Sequence, residues 1–160
     1  MTIEARFETI REKKFIGKSL KMSFQHNRTG ELWAGFMPVN REIQNRVGTD
    51  LYSLQLYDPR QFNPFNPSLE FEKWALAEVT DFTYVPAGME TFLLTGGLYA
   101  VFTHRGSNTD NRTFQYIFSD WLPASAYDLD NRPHFEVLGS LYKNNDPASE
   151  EEIWIPIRLR

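Results

Sequence analysis

The sequence predicts an α+β fold in which two β-α-β-β units join their strands into one mainly antiparallel sheet, carry two main helices and enclose a central cleft. Three observations lead there. Apolar residues change period from two to about 3.6 and back, in the order strand, helix, strand, strand. The same order returns after about 80 residues, which lays Glu72-Lys73-Trp74 over Glu152-Ile153-Trp154. The chain, 160 residues without a cysteine, suits one domain, 1–160, with pseudo-repeat halves of about 1–83 and 84–160.

In the first half, Phe7 to Phe24 alternates imperfectly around Gly17 and reads as one long or bulged strand. The turn His26-Asn27-Arg28-Thr29-Gly30 follows. Leu32, Trp33, Phe36, Val39 and Ile43 recur at helical spacing and predict a helix to about Arg46, with Pro38 as a distortion and Gly48 as its end. Leu51–Tyr57 reads as a strand, closed by Asp58-Pro59 and a Pro/Asn-rich loop through Pro67. Glu72 to Thr80 is the next strand, with Trp74, Leu76 and Glu78 on one face. In the second half the counterparts are a strand Tyr99–His104, a helix Thr109–Trp121 stopped by Pro123, a strand at Phe135-Glu136-Val137-Leu138, and a last strand Glu152–Ile157.

Composition narrows the function. A net charge of −4 with scattered basic residues gives no electrostatic footprint for nucleic acid, so no direct nucleic-acid partner is expected. The N-terminus mixes charges and has no apolar run, which predicts neither signal peptide nor membrane span; with no cysteine, the cytoplasm is the expected compartment. His26, His104 and His134 have no metal-site spacing, and no phosphate loop, dinucleotide fingerprint or G-x-S-x-G elbow is present, so no metal and no cofactor are expected. Aromatic residues make up 15% of the chain, enough for a core and for a cleft that stacks on planar ligands.

The string Gly96-Gly97-Leu98-Tyr99-Ala100-Val101-Phe102-Thr103-His104-Arg105-Gly106, then Tyr116-Ile117-Phe118, Trp121-Leu122-Pro123, Asn131-Arg132-Pro133-His134-Phe135-Glu136 and Glu152-Ile153-Trp154-Ile155-Pro156-Ile157, resembles the GyrI-like small-molecule-binding family, the bacterial transcription-activator effector-binding domain. The resemblance implies a duplicated β-α-β-β fold with a groove for varied hydrophobic or cationic compounds. In many relatives the domain is the ligand sensor of a DNA-binding regulator. This chain begins shortly before its first strand and is expected to be a stand-alone member.

Candidate site residues follow from strand phase and from the resemblance. Ile153, Ile155 and Ile157 share the side facing a helix, which turns Glu152 and Trp154 to the other, where a carboxylate beside aromatic rings attracts cations or handles a proton. The resemblance implies an acidic pocket residue on this strand, and Glu152 is the match; the plain alternative is that Glu150–Glu152 is a solvated run. Trp121, Tyr116, Phe36 and Trp74 are candidate groove residues on helices and strands, and Tyr84 and Met89 flank the Pro86-Ala87-Gly88 turn at the groove mouth. The leading expectation is a protein that binds an amphipathic, aromatic or cationic compound in sensing or sequestration. The alternatives are a hydrolase of electrophilic cyclopropane-type compounds using Glu152 assisted by Tyr116, and a gyrase-inhibitory protein-interaction domain.

Overall fold

A computed structural model describes residues 3–62 and 64–160. The first half comprises β1 (Arg6–Ile10), β2 (Lys13–Met22), α1 (Thr29–Phe36), a 3-10 turn (Asn40–Glu42), β3 (Leu51–Leu56) and β4 (Phe71–Val79). The second comprises β5 (Glu90–Leu94), β6 (Gly97–Arg105), α2 (Arg112–Tyr116), a π-turn (Ile117–Trp121), α3 (Leu122–Ala124), β7 (Tyr127–Leu129), β8 (His134–Leu138) and β9 (Glu150–Leu159). From Arg112 to Ala124 the chain stays helical, so α2, the π-turn and α3 form one rod. The sheet order is β1-β6-β9-β8-β3-β4-β2-β5 with β7 added on β9, and the pairings are antiparallel. The architecture is the α+β class that the periodicities predict.

The stretch read as one long strand is two. Arg11 and Glu12 alone connect β1 to β2, yet β1 pairs with β6 while β2 pairs with β4 and β5. The physical reason is an exchange of edge strands: β1 borders the second half, and β5, absent from the sequence reading, borders the first. The two turns that launch this exchange abut, since a Cβ on Gly96 would fall on the carbonyl oxygen of Ile10. The helix expected to reach Arg46 ends at Phe36, because Pro38 has no N–H to offer the carbonyl one turn back. The chain goes on as the 3-10 turn and reverses at Asn45, whose φ is 58°.

Each face of the sheet has its own core. On the inner face Phe15, Tyr52, Leu54, Trp74, Leu76, Leu94, Tyr99 and Phe135 pack together as the sheet coils over itself. The outer face carries the helices. Leu32 and Phe36 of α1 lie on Ile16, Ala75, Ala77 and Val79, where the small alanines make room for the helix. Ile117 of the second rod lies with Ala100, Phe102, Ile153, Ile155 and Ile157. The central pair, β3 and β8, lies between these two helix-covered patches.

Glycine 17 marks a tight point in this coil, because a Cβ there would meet the carbonyl oxygen of Ala75 on β4. Gly35 in α1 faces open space. In urea or thermal melts, Gly17→Ala is expected to cost about 1–3 kcal/mol by overpacking, whereas Gly35→Ala is expected to add about 0.5–1 kcal/mol through helix propensity.

Candidate ligand-binding site

At the sheet centre Ser53 of β3 lies opposite Glu136 of β8. Strand alternation places Ser53, Gln55, Lys73, His134, Glu136 and Glu151 on the outer face, along the seam between the helix patches. Polar groups in such a place must satisfy one another. Gln55 Nε2 donates to Ser53 Oγ at 3.0 Å and to Glu136 Oε1 at 3.5 Å, and Lys73 Nζ donates to Thr29 Oγ1 at the start of α1, at 3.0 Å.

The seam holds more acid than it can ionise. Burial first, and the adjoining Glu136 carboxylate second, push the Glu151 carboxyl up to about 9, although Lys73 pulls the other way. Burial beside Glu136 thus favours the protonated form of Glu151 at neutral pH. Its Oε2 is buried without a hydrogen-bond partner among the described residues, as is Nδ1 of His134. Burial likewise lowers Lys73, and it drives the His134 imidazole down to about 3, so that ring stays neutral.

Aromatic rings roof this polar floor. The β3–β4 loop passes over the seam and inserts Phe62, which stacks on Phe118 at 4.3 Å with 7° between planes. Tyr57 meets Phe62 edge-on at 5.0 Å, His134 lies at 5.7 Å and Phe114 at 6.1 Å. On the α1 side Phe24 contacts Tyr57, Phe65 and Phe71. On the second rod Phe114 and Phe118 lie 4.7 Å apart and both reach Phe62, while Phe118 also packs, with Trp121, against the core around Ile117. A depression of about 320 Å³ on the same loop is walled by Arg60, Pro64, Asn66 and Leu69, and none of the buried carboxyls lines it.

The sequence candidates are dispersed. Glu152 and Trp154 share the face opposite the isoleucines, and Trp154 Nε1 donates to Glu152 Oε1 at 3.1 Å. That carboxylate is already met by Arg6 at 3.1 Å, and the Arg6 guanidinium sits 5.9 Å from the Trp154 ring centroid. Trp74 repeats the motif on β4, giving its Nε1 hydrogen to Glu72 at 2.6 Å. Phe36 and Met89 are buried beside α1. Trp121 packs on Phe7, Phe102 and Tyr127 near the sheet edge. Tyr116 is partly exposed on the second rod, and Tyr84 is 45% exposed in the linker. These eight residues do not converge on one place.

The residues that do converge were in part readable. Counting back by two from Ile157, Ile155 and Ile153 reaches Glu151, so the phase that sets Glu152 apart also puts Glu151 under the helix side. Glu136 lies within the string that carries the resemblance. Phe62 and Phe65, flanking a proline in a polar loop, were the available signal for a roof; nothing local tells that the loop folds inward.

The coiled antiparallel sheet with its two helix-covered patches is the fold of a GyrI-like effector-binding domain. Residues 7–157 match the family described as Cass2, integron-associated effector binding protein, and the chain belongs to that family. It is 30% identical over 131 residues to the transcriptional regulator BrlR of Pseudomonas aeruginosa, covering 80% of this chain and 46% of that protein. The chain thus spans about half the length of this relative. Its fold is similar to the EcmrR C-terminal domain (TM-score 0.72, 15% identity, all of both chains) and to SAV2435 bound to tetraphenylphosphonium (TM-score 0.67, 15% identity, 97% of this chain and 94% of that one). No helix among the described residues is long and apolar enough to cross a membrane.

The raised Glu151 carboxyl has a consequence for stability. An unfolded glutamate ionises near ~4.3, so between that value and about 9 the folded state holds one proton more and stability falls as pH rises. Denaturation curves across this window should show the fall in the wild type and lose most of it in Glu151→Gln, which is expected to be the more stable protein at pH 9.

Proposed function

We propose that the protein binds an organic cation in the seam, with the Glu136–Glu151 pair as its counter-charge and the Tyr57, Phe114 and Phe118 rings as its wall. The observation that carries this is the buried Glu151 carboxyl, protonated beside a second carboxylate and with one oxygen unpaired. A buried acid of this kind gains most from a cation that is itself poorly hydrated, because a lipophilic cation loses little solvation on entry. Ring faces add cation–π attraction without any charge to desolvate. The Glu152 site is a weaker receptor, since Arg6 already stands over Trp154 and against the carboxylate. The tetraphenylphosphonium bound by SAV2435 belongs to the ligand class inferred here. Binding without chemical change serves the sensing or sequestration of such compounds.

The sign of the pH effect follows from the proton. A cation favours ionised Glu151, so binding expels a proton, and affinity should climb with pH until about 9 and then level off. Calorimetric titration with tetraphenylphosphonium in buffers of different ionisation enthalpy should show saturable binding with proton release, and the compound should be recovered unchanged. Glu151→Gln and Glu136→Gln are each expected to weaken binding about tenfold or more, the loss typical of an unpaired buried charge. Glu152→Gln is expected to leave it within about twofold. The reverse pattern would move the ligand to Glu152 and Trp154.

A further inference from the structure

The Phe62 ring sits in the seam as a ligand would. Its face lies on Phe118 with nearly parallel planes, its edge is met by Tyr57, and His134 forms a further wall. That wall contains a polar atom with no partner among the described residues: His134 is 6% exposed and its Nδ1 makes no hydrogen bond. A ring that belonged to a permanent core would be held by a segment fastened to the body. Although Gln61 is fully buried and Phe65 meets Phe24, the backbone hydrogen bonds of the described part of the β3–β4 loop run mostly within the loop. Gln61 N–H donates to Asp58 O at 2.9 Å, Asn66 N–H donates to Gln61 O at 2.8 Å, and the Gln61 side-chain amide donates to Asn66 O. Among the described residues, its backbone hydrogen bond to the α1 side is the one that Gln25 N–H donates to Pro67 O, at 3.1 Å. Phe62 itself remains partly exposed and Phe65 is 51% exposed.

We propose that Phe62 is a tethered occupant of the ligand slot. The ligand is a cation bearing a phenyl-sized ring, that ring takes the place of Phe62 against Phe118, His134 and Tyr57, and the β3–β4 loop leaves the seam to admit it. The cationic centre then faces Glu136 and Glu151, so this inference rests on the seam being the binding site. Removing an internal competitor raises apparent affinity by the inverse of the fraction of molecules whose slot is free.

The test compares tetraphenylphosphonium binding by the wild type, Phe62→Ala and, as a control at an exposed residue outside the seam, Leu141→Ala, each checked by thermal melting, with amide hydrogen exchange of the wild type. Phe62→Ala is expected to bind about tenfold tighter, with Leu141→Ala unchanged. The Gln25 amide of the wild type should exchange faster when the cation is bound, because its acceptor Pro67 departs with the loop. Equal or weaker binding by Phe62→Ala would make Phe62 part of the wall and overturn the proposal while leaving cation binding intact. Failure of both wild type and Phe62→Ala to bind would sink the underlying reading of the seam. Should Phe62→Ala not fold, the exchange result decides alone: faster exchange at Gln25 supports displacement, and unchanged or slower exchange rejects it.

Discussion

The exchange of edge strands is the constraint on which the rest of the molecule depends. With only Arg11 and Glu12 between them, β1 and β2 cannot lie at distant borders of a flat sheet; the sheet must coil until those borders approach. Coiling closes the inner face over its aromatic core without any helix to cover it. Both helices are left for the outer face, each over the strands of its own half. Between the two patches lies the seam where β3 meets β8, covered by the β3–β4 loop and by rings of the second rod. The seam proposed as the binding site is thus a by-product of how the halves are stitched together, set between the two helix-covered patches.

Charge then gives that seam its chemistry. A covered surface holding Glu136, Glu151 and Lys73 can approach neutrality by keeping a proton on one acid, and Glu151 keeps it. The cost is a carboxyl oxygen without a partner. His134, held neutral by the same burial, adds no positive charge to oppose an incoming cation. Over this floor the aromatic residues of the β3–β4 loop and the second rod supply a roof with no fixed charge of its own. A weakly hydrated cation satisfies each part of this arrangement at once, whereas an anion or a strongly hydrated ion satisfies none.

The fold was legible because its signals are local. Alternation marked β3, β4, β6 and β9, helical spacing marked both helices, and Trp74 and Trp154 each bond the glutamate two residues before them, as their matched tripeptides suggest. What escaped was decided by distant partners. The break at Arg11–Glu12 and the strand β5 exist because of pairing with the opposite half, which no window of sequence displays. The site was half legible. The phase of β9 separates Glu152 from the isoleucines and puts Glu151 with them, but only the folded structure shows that Glu151 is buried beside Glu136 while the acids on either side of it stay half-buried. Phe62 acquires meaning solely from the rings it meets across the seam, with Phe118 lying far along the chain.

The carboxyl resonance of Glu151, followed by NMR through a pH titration with and without tetraphenylphosphonium, tests the central claim most directly. The free protein should titrate near about 9 at this group, and bound cation should bring the midpoint down toward the ordinary carboxylate range. A Glu151 that titrates as an ordinary glutamate in the free protein, or whose midpoint ignores the bound cation, would contradict the assignment of the seam as a cation receptor.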